Sequence, residues 1–370
     1  MSAGALATLA GLASMGPQRL RLLLAHHEAD DAFDRLRRGA SLHPMFTRAT
    51  PTDLLGRLRS QAAQCEPDQM LAICDDNDVS VVGRSDVRYP PQLAIDPEAP
   101  EVLFVRGRLD AIDARRVGVV GTRHATAAGR ATATELGLAL ADEGVSIVSG
   151  LASGIDAAAH RGVRSSAGPG RAIAVVGSGP DVHYPKSNTE LWEWVAVEGL
   201  LISEWPPGTR PDGWRFPQRN RILAALCEVL VVVESRERGG SLITARAAAE
   251  RGVEVMAVPG SPRCRASAGT NQLLVDGAGP VTSVDDVMMM LGLDHRRQSE
   301  LPFDPRPRPG ALQVKVLAVC QQQPSTIDML AAEVDASLAS VALAAARLER
   351  DGWLIEAGGW FEAVGSRLQR

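Results

Sequence analysis

VSIVSGLASGIDAAAH, residues Val145–His160, decides the architecture. Val145, Ile147 and Val148 read as a buried strand, Ser149 to Gly154 as a loop of small residues, and Ile155 onward as the first turn of a helix. Strand, glycine loop and helix in succession outline an anion site. A helix N-terminus offers unpaired N–H groups and the positive end of its dipole, and small residues let a phosphate approach the backbone.

Working outward, residues 116–293 repeat the same alternation. Strands are expected at Val117–Val120, Val145–Val148, Ala172–Val176, Leu200–Ile202, Val229–Val233 and Val253–Val258. Helices are expected between them, among them Thr132–Asp142, Asp156–Val163 and Ser241–Arg251. Continuous apolar runs joined by helical crossovers predict a parallel sheet covered on both faces. The fold class is α/β, an extended Rossmann-like domain, with ligands expected at the carboxyl ends of the strands.

The flanks differ in pattern. Residues 1–66 read as an N-terminal helical domain of the SAM or helix-hairpin type, with helices at Ala5–Leu12, Gln18–Ala25 and near Asp30–Arg38. Its Met15-Gly16-Pro17 turn before a basic helix resembles the helix-hairpin-helix of DNA binders, but the signal is weak and a small bundle that packs on its neighbour is the expected reading. Residues 67–293 comprise a lead-in with apolar segments Val79–Val82 and Val102–Val105, followed by the sheet domain. Residues 294–311 form a charged, proline-rich linker. Residues 312–370 have three helical segments and two strands around Gly358-Gly359, a winged-helix outline.

Composition limits the function. The net charge is −5 and the sequence pI about 5.9, so no global positive field attracts nucleic acid, and an anion site has to be built locally. The five cysteines lack C-x-x-C or zinc spacing, which fits a reduced, cytoplasmic protein without a metal. No apolar run is long enough to span a membrane.

Several strand ends run into small-residue loops: Gly121-Thr122-Arg123, Gly150 to Asp156, Gly177 to Asp181, and Gly239-Gly240-Ser241. A dinucleotide fold needs G-x-G-x-x-G after its first strand, whereas Gly121–Gly129 reads GTRHATAAG, and no Gly-Lys-Ser/Thr motif occurs. A nucleotide cofactor is therefore not expected. RPDGWRFPQRNR, Arg210–Arg221, sets four arginines against Asp212, with Trp214 and Phe216 interleaved. Guanidinium groups grip phosphates and exposed rings stack on bases. The competing reading anchors Phe216 in the core and pairs the arginines with Glu204, Glu228 or Glu234. Asp156 and His160 share one helix face, but no nucleophile motif accompanies them, and a packing histidine is expected. Ser149, Ser153 and Ser241 lie outside any G-x-S-x-G motif.

Taken in order, SGLASGIDAAAH, GSGPDVHYPKSN, LISEWPPG, FPQRNRI, GGSLITARAA, AVPG and GTNQLLVDGA closely resemble the DNA-processing protein A (DprA/Smf) family over about residues 86–287. The resemblance implies a single-stranded DNA-binding protein without catalysis or cofactor. It also implies protection of incoming strands in natural transformation, delivery to the RecA recombinase, and a homodimer. Carried over by position, Arg123 contacts a phosphate, Lys186 extends the basic track and Phe216 stacks on a base. Ser149, Gly150, Gly154, Gly177, Gly179, Arg219, Asn220 and Ser241 complete the implied pocket. Two departures stand out: the family's S-G-S is Gly239-Gly240-Ser241 here, and Pro180 precedes Asp181 where an apolar residue is common. The alternative is a nucleotide hydrolase of the cytokinin-activating type, which carries P-G-G-x-G-T-x-x-E. Here Pro259-Gly260 continues as Ser-Pro-Arg-Cys, so its glutamate has no counterpart.

The winged-helix outline does not read as a duplex reader. Residues 311–370 carry five basic against seven acidic side chains, and Ser337–Leu343 holds no Arg, Asn or Gln. The expected outcome is weak or no binding of duplex DNA by an isolated 311–370 fragment in a gel-shift titration, and a protein-contact role instead. Tight binding would overturn this.

Overall fold

The structure, a computed structural model, describes residues 2–293, 306–307 and 309–364. It divides into two compact units, Met1–Asp294 and His295–Arg370. Most of the linker, 294–311, lies outside the described residues.

The first unit opens with six helices: α1 (Ala3–Gly11), α2 (Gly16–Leu24), α3 (Ala29–Arg38), α4 (Pro44–Ala49), α5 (Thr52–Ala62) and α6 (Pro67–Asp76). The last three were not foreseen as helices; proline opens α4 and α6 at positions where the missing N–H costs nothing. Leu6, Leu9, Leu23, Leu36, Phe46 and Leu58 form the core of this layer. That core is shared with Val81, Val102 and Phe104 of the sheet.

The sheet has nine strands: β1 (Ser80–Gly83), β2 (Val102–Gly107), β3 (Arg116–Gly121), β4 (Ser146–Ser149), β5 (Ala172–Val176), β6 (Leu200–Ser203), β7 (Val229–Glu234), β8 (Glu254–Ala257) and β9 (Gly279–Pro280). Their order is β1-β2-β6-β5-β4-β3-β7-β8-β9. From β6 to β9 every pairing is parallel. The six strands expected in residues 116–293 thus form the parallel sheet foreseen for them, and the lead-in strands, for which no direction was foreseen, add antiparallel pairings, β1 to β2 and β2 to β6. The reason is connectivity. β1 and β2 precede the first βα crossover, and antiparallel neighbours need no crossover helix between them.

The remaining helices of this unit are α7 (Pro91–Ala94), α8 (Ala127–Asp142), α9 (Ile155–Ser165), α10 (Thr189–Glu198), α11 (Arg215–Leu226), α12 (Gly240–Ala249), α13 (Ala268–Val275) and α14 (Val284–Met290). Strand alternation sends Val117, Val119, Val229 and Val231 to one face, under α8, α9, α10 and α14. Val120, Leu230 and Val232 go to the other, under α7, α11 and α12. α8 and α9 approach almost to backbone contact. A Cβ on Gly137 would collide with the Ala159 carbonyl, and one on Gly162 with the Thr134 carbonyl. This fixes α9, and with it the loop that precedes α9.

The second unit contains α15 (Ala311–Gln322), α16 (Ile327–Glu333), α17 (Leu338–Arg350) and an antiparallel hairpin, β10 (Leu354–Ala357) with β11 (Trp360–Ala363). Gly358 and Gly359 both take positive φ, as a two-residue hairpin turn requires. Val316, Leu330, Val341 and Leu348 form its core. Among the described residues no single helix is long and apolar enough to cross a membrane.

Gly162→Ala is expected to lower stability by about 1–3 kcal/mol through overpacking, although alanine favours helix by roughly 1 kcal/mol. The denaturation midpoint reads this, and an unchanged or raised midpoint would contradict the packing described.

Candidate nucleic-acid interface

Loops after β3, β5, β6 and β7 meet the opening turns of α11 and α12 around a cleft of about 540 Å³. Arg123, Phe216, Arg219, Asn220 and Ser241 all line it, so five of the eleven residues expected at the site come together there. Phe216 is half-buried, with the Arg123 guanidinium 5.0 Å from its ring centroid on one side and Tyr184 at 5.4 Å. Gly177 lies beneath the ring: a Cβ there would stand 3.1 Å from Phe216. Its glycine character provides room for the ring.

The stretch around Gly150 behaves differently from its anion-site outline. Ser149 is fully buried, and its hydroxyl donates to the Val119 carbonyl at 2.6 Å. The Gly150 N–H donates to the Asp156 carboxylate at 3.2 Å, and the Gly150 carbonyl accepts from Arg219 at 3.1 Å. Arg219 also donates to the Val175 carbonyl and is 6% exposed. Thr122 accepts the Ile155 N–H, and Ala152 accepts that of Ala157. Gly154, at φ +83, lets the chain turn against the carbonyls of Thr122 and Arg123. The acid in the first turn of α9 thus occupies the position expected for a phosphate. Ser149 and Gly150 thus shape the site from below with their polar groups engaged inside the protein, while Arg219 keeps a buried Nε without a partner.

Gly179 and Lys186 also stand apart from the cleft lining. The Gly179 N–H donates to Thr209 at 2.9 Å, and the neighbouring Asp181 accepts from Gly208. Lys186 is exposed on a short 3-10 turn, Lys186–Asn188. Ser241 opens α12 and donates to Ser235 at 2.9 Å. With Gly239 and Gly240 it brings a helix N-terminus to the cleft wall, where the dipole favours an anion.

Two contributors escaped the sequence reading. Arg236 and Arg238 are exposed and line the cleft, in SRERGG just after β7. Two arginines one residue apart ahead of a glycine turn were the available signal. Like Arg123, they form no ion pair among the described residues. The carboxylates lining the cleft are Asp156, held by Gly150, and Asp212, which accepts from Trp214 Nε1 at 2.6 Å. Arg221 turns away to Glu204 at 2.7 Å, as the competing reading had it, while Glu228 pairs with Arg115 and Arg116. Glu234 instead accepts the Thr126 N–H at 2.8 Å. The RFPQRNR segment, which carried no helical expectation, starts α11 and directs Phe216, Arg219 and Asn220 to the cleft.

Burial raises the Asp156 carboxyl to about 6, against the attraction of Arg219, whose guanidinium burial lowers to about 10. His160 is fully buried in α9, and burial lowers it to about 4. These shifts act oppositely on stability. The raised Asp156 value contributes stability at low pH that is lost as pH rises through about 6; the lowered His160 value contributes stability above 6.5 that is lost as pH falls toward about 4. Asp156→Asn removes the first and leaves the second. Its denaturation midpoint is expected to fall more steeply than that of the parent chain as pH drops from 6.5 to about 4. A pH-independent gap between the two would contradict this.

The sequence profile of DNA recombination-mediator protein A matches residues 80–292. The chain is 42% identical over 200 residues to DNA processing protein DprA of Streptococcus pneumoniae, covering 54% of this chain and 70% of that protein. The X-ray structure of the Streptococcus pneumoniae protein superposes with a TM-score of 0.65 at 32% identity, over 78% of this chain and 98% of that one. DNA processing protein A from Helicobacter pylori, whose structure is described by its unique single-stranded DNA binding mode, gives a TM-score of 0.53 at 27% identity, covering 58% and 96%. The chain belongs to the DNA recombination-mediator protein A family, DprA/Smf.

Proposed function

We propose that the chain binds single-stranded DNA in the cleft at the carboxyl ends of β3 and β7. The observation carrying this reading is the trio Arg123, Arg236 and Arg238, without ion pairs around a half-buried Phe216 and the start of α12. Guanidinium groups hold backbone phosphates and the ring stacks on a base, a combination that reads little sequence. Membership of the DprA/Smf family and the single-strand binding described for the Helicobacter pylori protein support it.

On this reading the protein is a cytoplasmic, non-enzymatic homodimer that protects incoming strands in natural transformation and delivers them to RecA. The hydrolase alternative finds no support, since its motif glutamate has no counterpart in this chain and the matching profile is that of DNA recombination-mediator protein A. The second unit, three helices and a hairpin, serves as a winged-helix module for protein contact, in keeping with its acidic balance.

Oligo-dT titrations at several salt concentrations test the cleft. Affinity is expected to fall as salt rises. Arg123→Ala is expected to weaken binding and reduce the salt slope by about 1, and Phe216→Ala to cost roughly 1–3 kcal/mol. Absence of binding by the parent chain at low salt would overturn the function, and equal binding by all three would overturn the site. Release of free base from AMP would overturn the non-enzymatic reading.

A further inference from the structure

The opening turn of α11 faces two cavities. Phe216, Arg219 and Asn220 point to the cleft, while Trp214, Arg215 and Gln218 line a separate groove of about 780 Å³ against the N-terminal helices. Arg215 and Gln218 share one helix face at i and i+3, and Phe216, Arg219 and Asn220 share another. Across the groove stand Arg19 of α2 and Arg57 of α5; Arg57 pairs with Asp53 at 2.6 Å, which leaves Arg19 and Arg215 lining the groove without an ion pair among the described residues. In a chain of net charge −5 that local excess favours an anionic occupant.

The groove also has an aromatic floor and unmet polar atoms. Arg215 lies 4.7 Å from the Trp205 ring and 4.9 Å from the Trp214 ring, which cross edge to face at 5.4 Å. Trp205 is 7% exposed, whereas Trp214 is 47% exposed and presents its indole outward. Arg19 Nε, Arg215 Nε and Gln218 Oε1 are buried and find no partner within the protein. Guanidinium groups beside a half-exposed indole match a phosphate and its base.

We propose that this groove is a second single-stranded DNA subsite, in which a base stacks on Trp214 and its phosphate meets Arg19 and Arg215. The inference rests on the proposed single-strand function and extends it. Two residues span at most about 7 Å of backbone, so a strand stacked on Phe216 has neighbouring nucleotides within reach of Trp214. α11 then acts as a divider over which one strand passes from cleft to groove.

Oligo-dT of about 4 and about 16 nucleotides, near the limits of single-strand site sizes, separates the subsites on the full chain. Trp214→Ala is expected to weaken the longer oligomer about fivefold or more and leave the shorter unchanged, with Trp214→Phe restoring most of the loss. Arg19→Ala is expected to lower the salt slope by about 1 for the longer oligomer alone. Arg123→Ala, in the cleft, is expected to weaken both lengths. Equal loss at both lengths, or no loss with the longer oligomer, would overturn the groove while leaving the cleft intact. Failure of the parent chain to bind either length would overturn the cleft and the groove together.

Discussion

The hold on Gly150 is the constraint on which the site depends. Its amide is taken by Asp156 of α9 and its carbonyl by Arg219 of α11, so one residue ties together helices on opposite faces of the sheet. Both charged groups are buried, and each alone is strongly disfavoured there; together, with backbone partners, they persist. A Cβ at this position would reach both charged groups, 2.5 Å from the guanidinium and 2.7 Å from the carboxylate. The same contact seats α11, and the seating of α11 places Phe216 at the cleft.

Strand positions were legible because buried parallel strands are written as apolar runs, and Ala172–Val176 came out with the expected limits. The antiparallel turn of β1 and β2 was not legible, since a four-residue apolar segment carries no sign of its direction. The site was legible in its residue types and less so in their roles. A glycine loop before a helix reads as an anion cradle whether its donors face a ligand or an internal carboxylate, and only the bond from Gly150 to Asp156 separates the cases. Arg219 looked like the other arginines of RFPQRNR until the helical period turned it inward.

Several arginines that hold the fold together have a carboxylate nearby, as Glu204 stands by Arg221 and Asp96 by Arg251. Around the cleft that pairing stops. An acidic protein thereby concentrates a positive field over a small mouth, which limits adhesion to polyanions elsewhere on its surface.

The ends of the nine-stranded sheet carry a consequence for assembly. β9 is two residues long and one of them is Pro280, which has no amide to offer, while β1 at the other end has four residues. Neither presents a seam long enough for another chain to continue the sheet, the usual hazard of an open edge. Another chain is thus kept from continuing this sheet by backbone hydrogen bonds at either end.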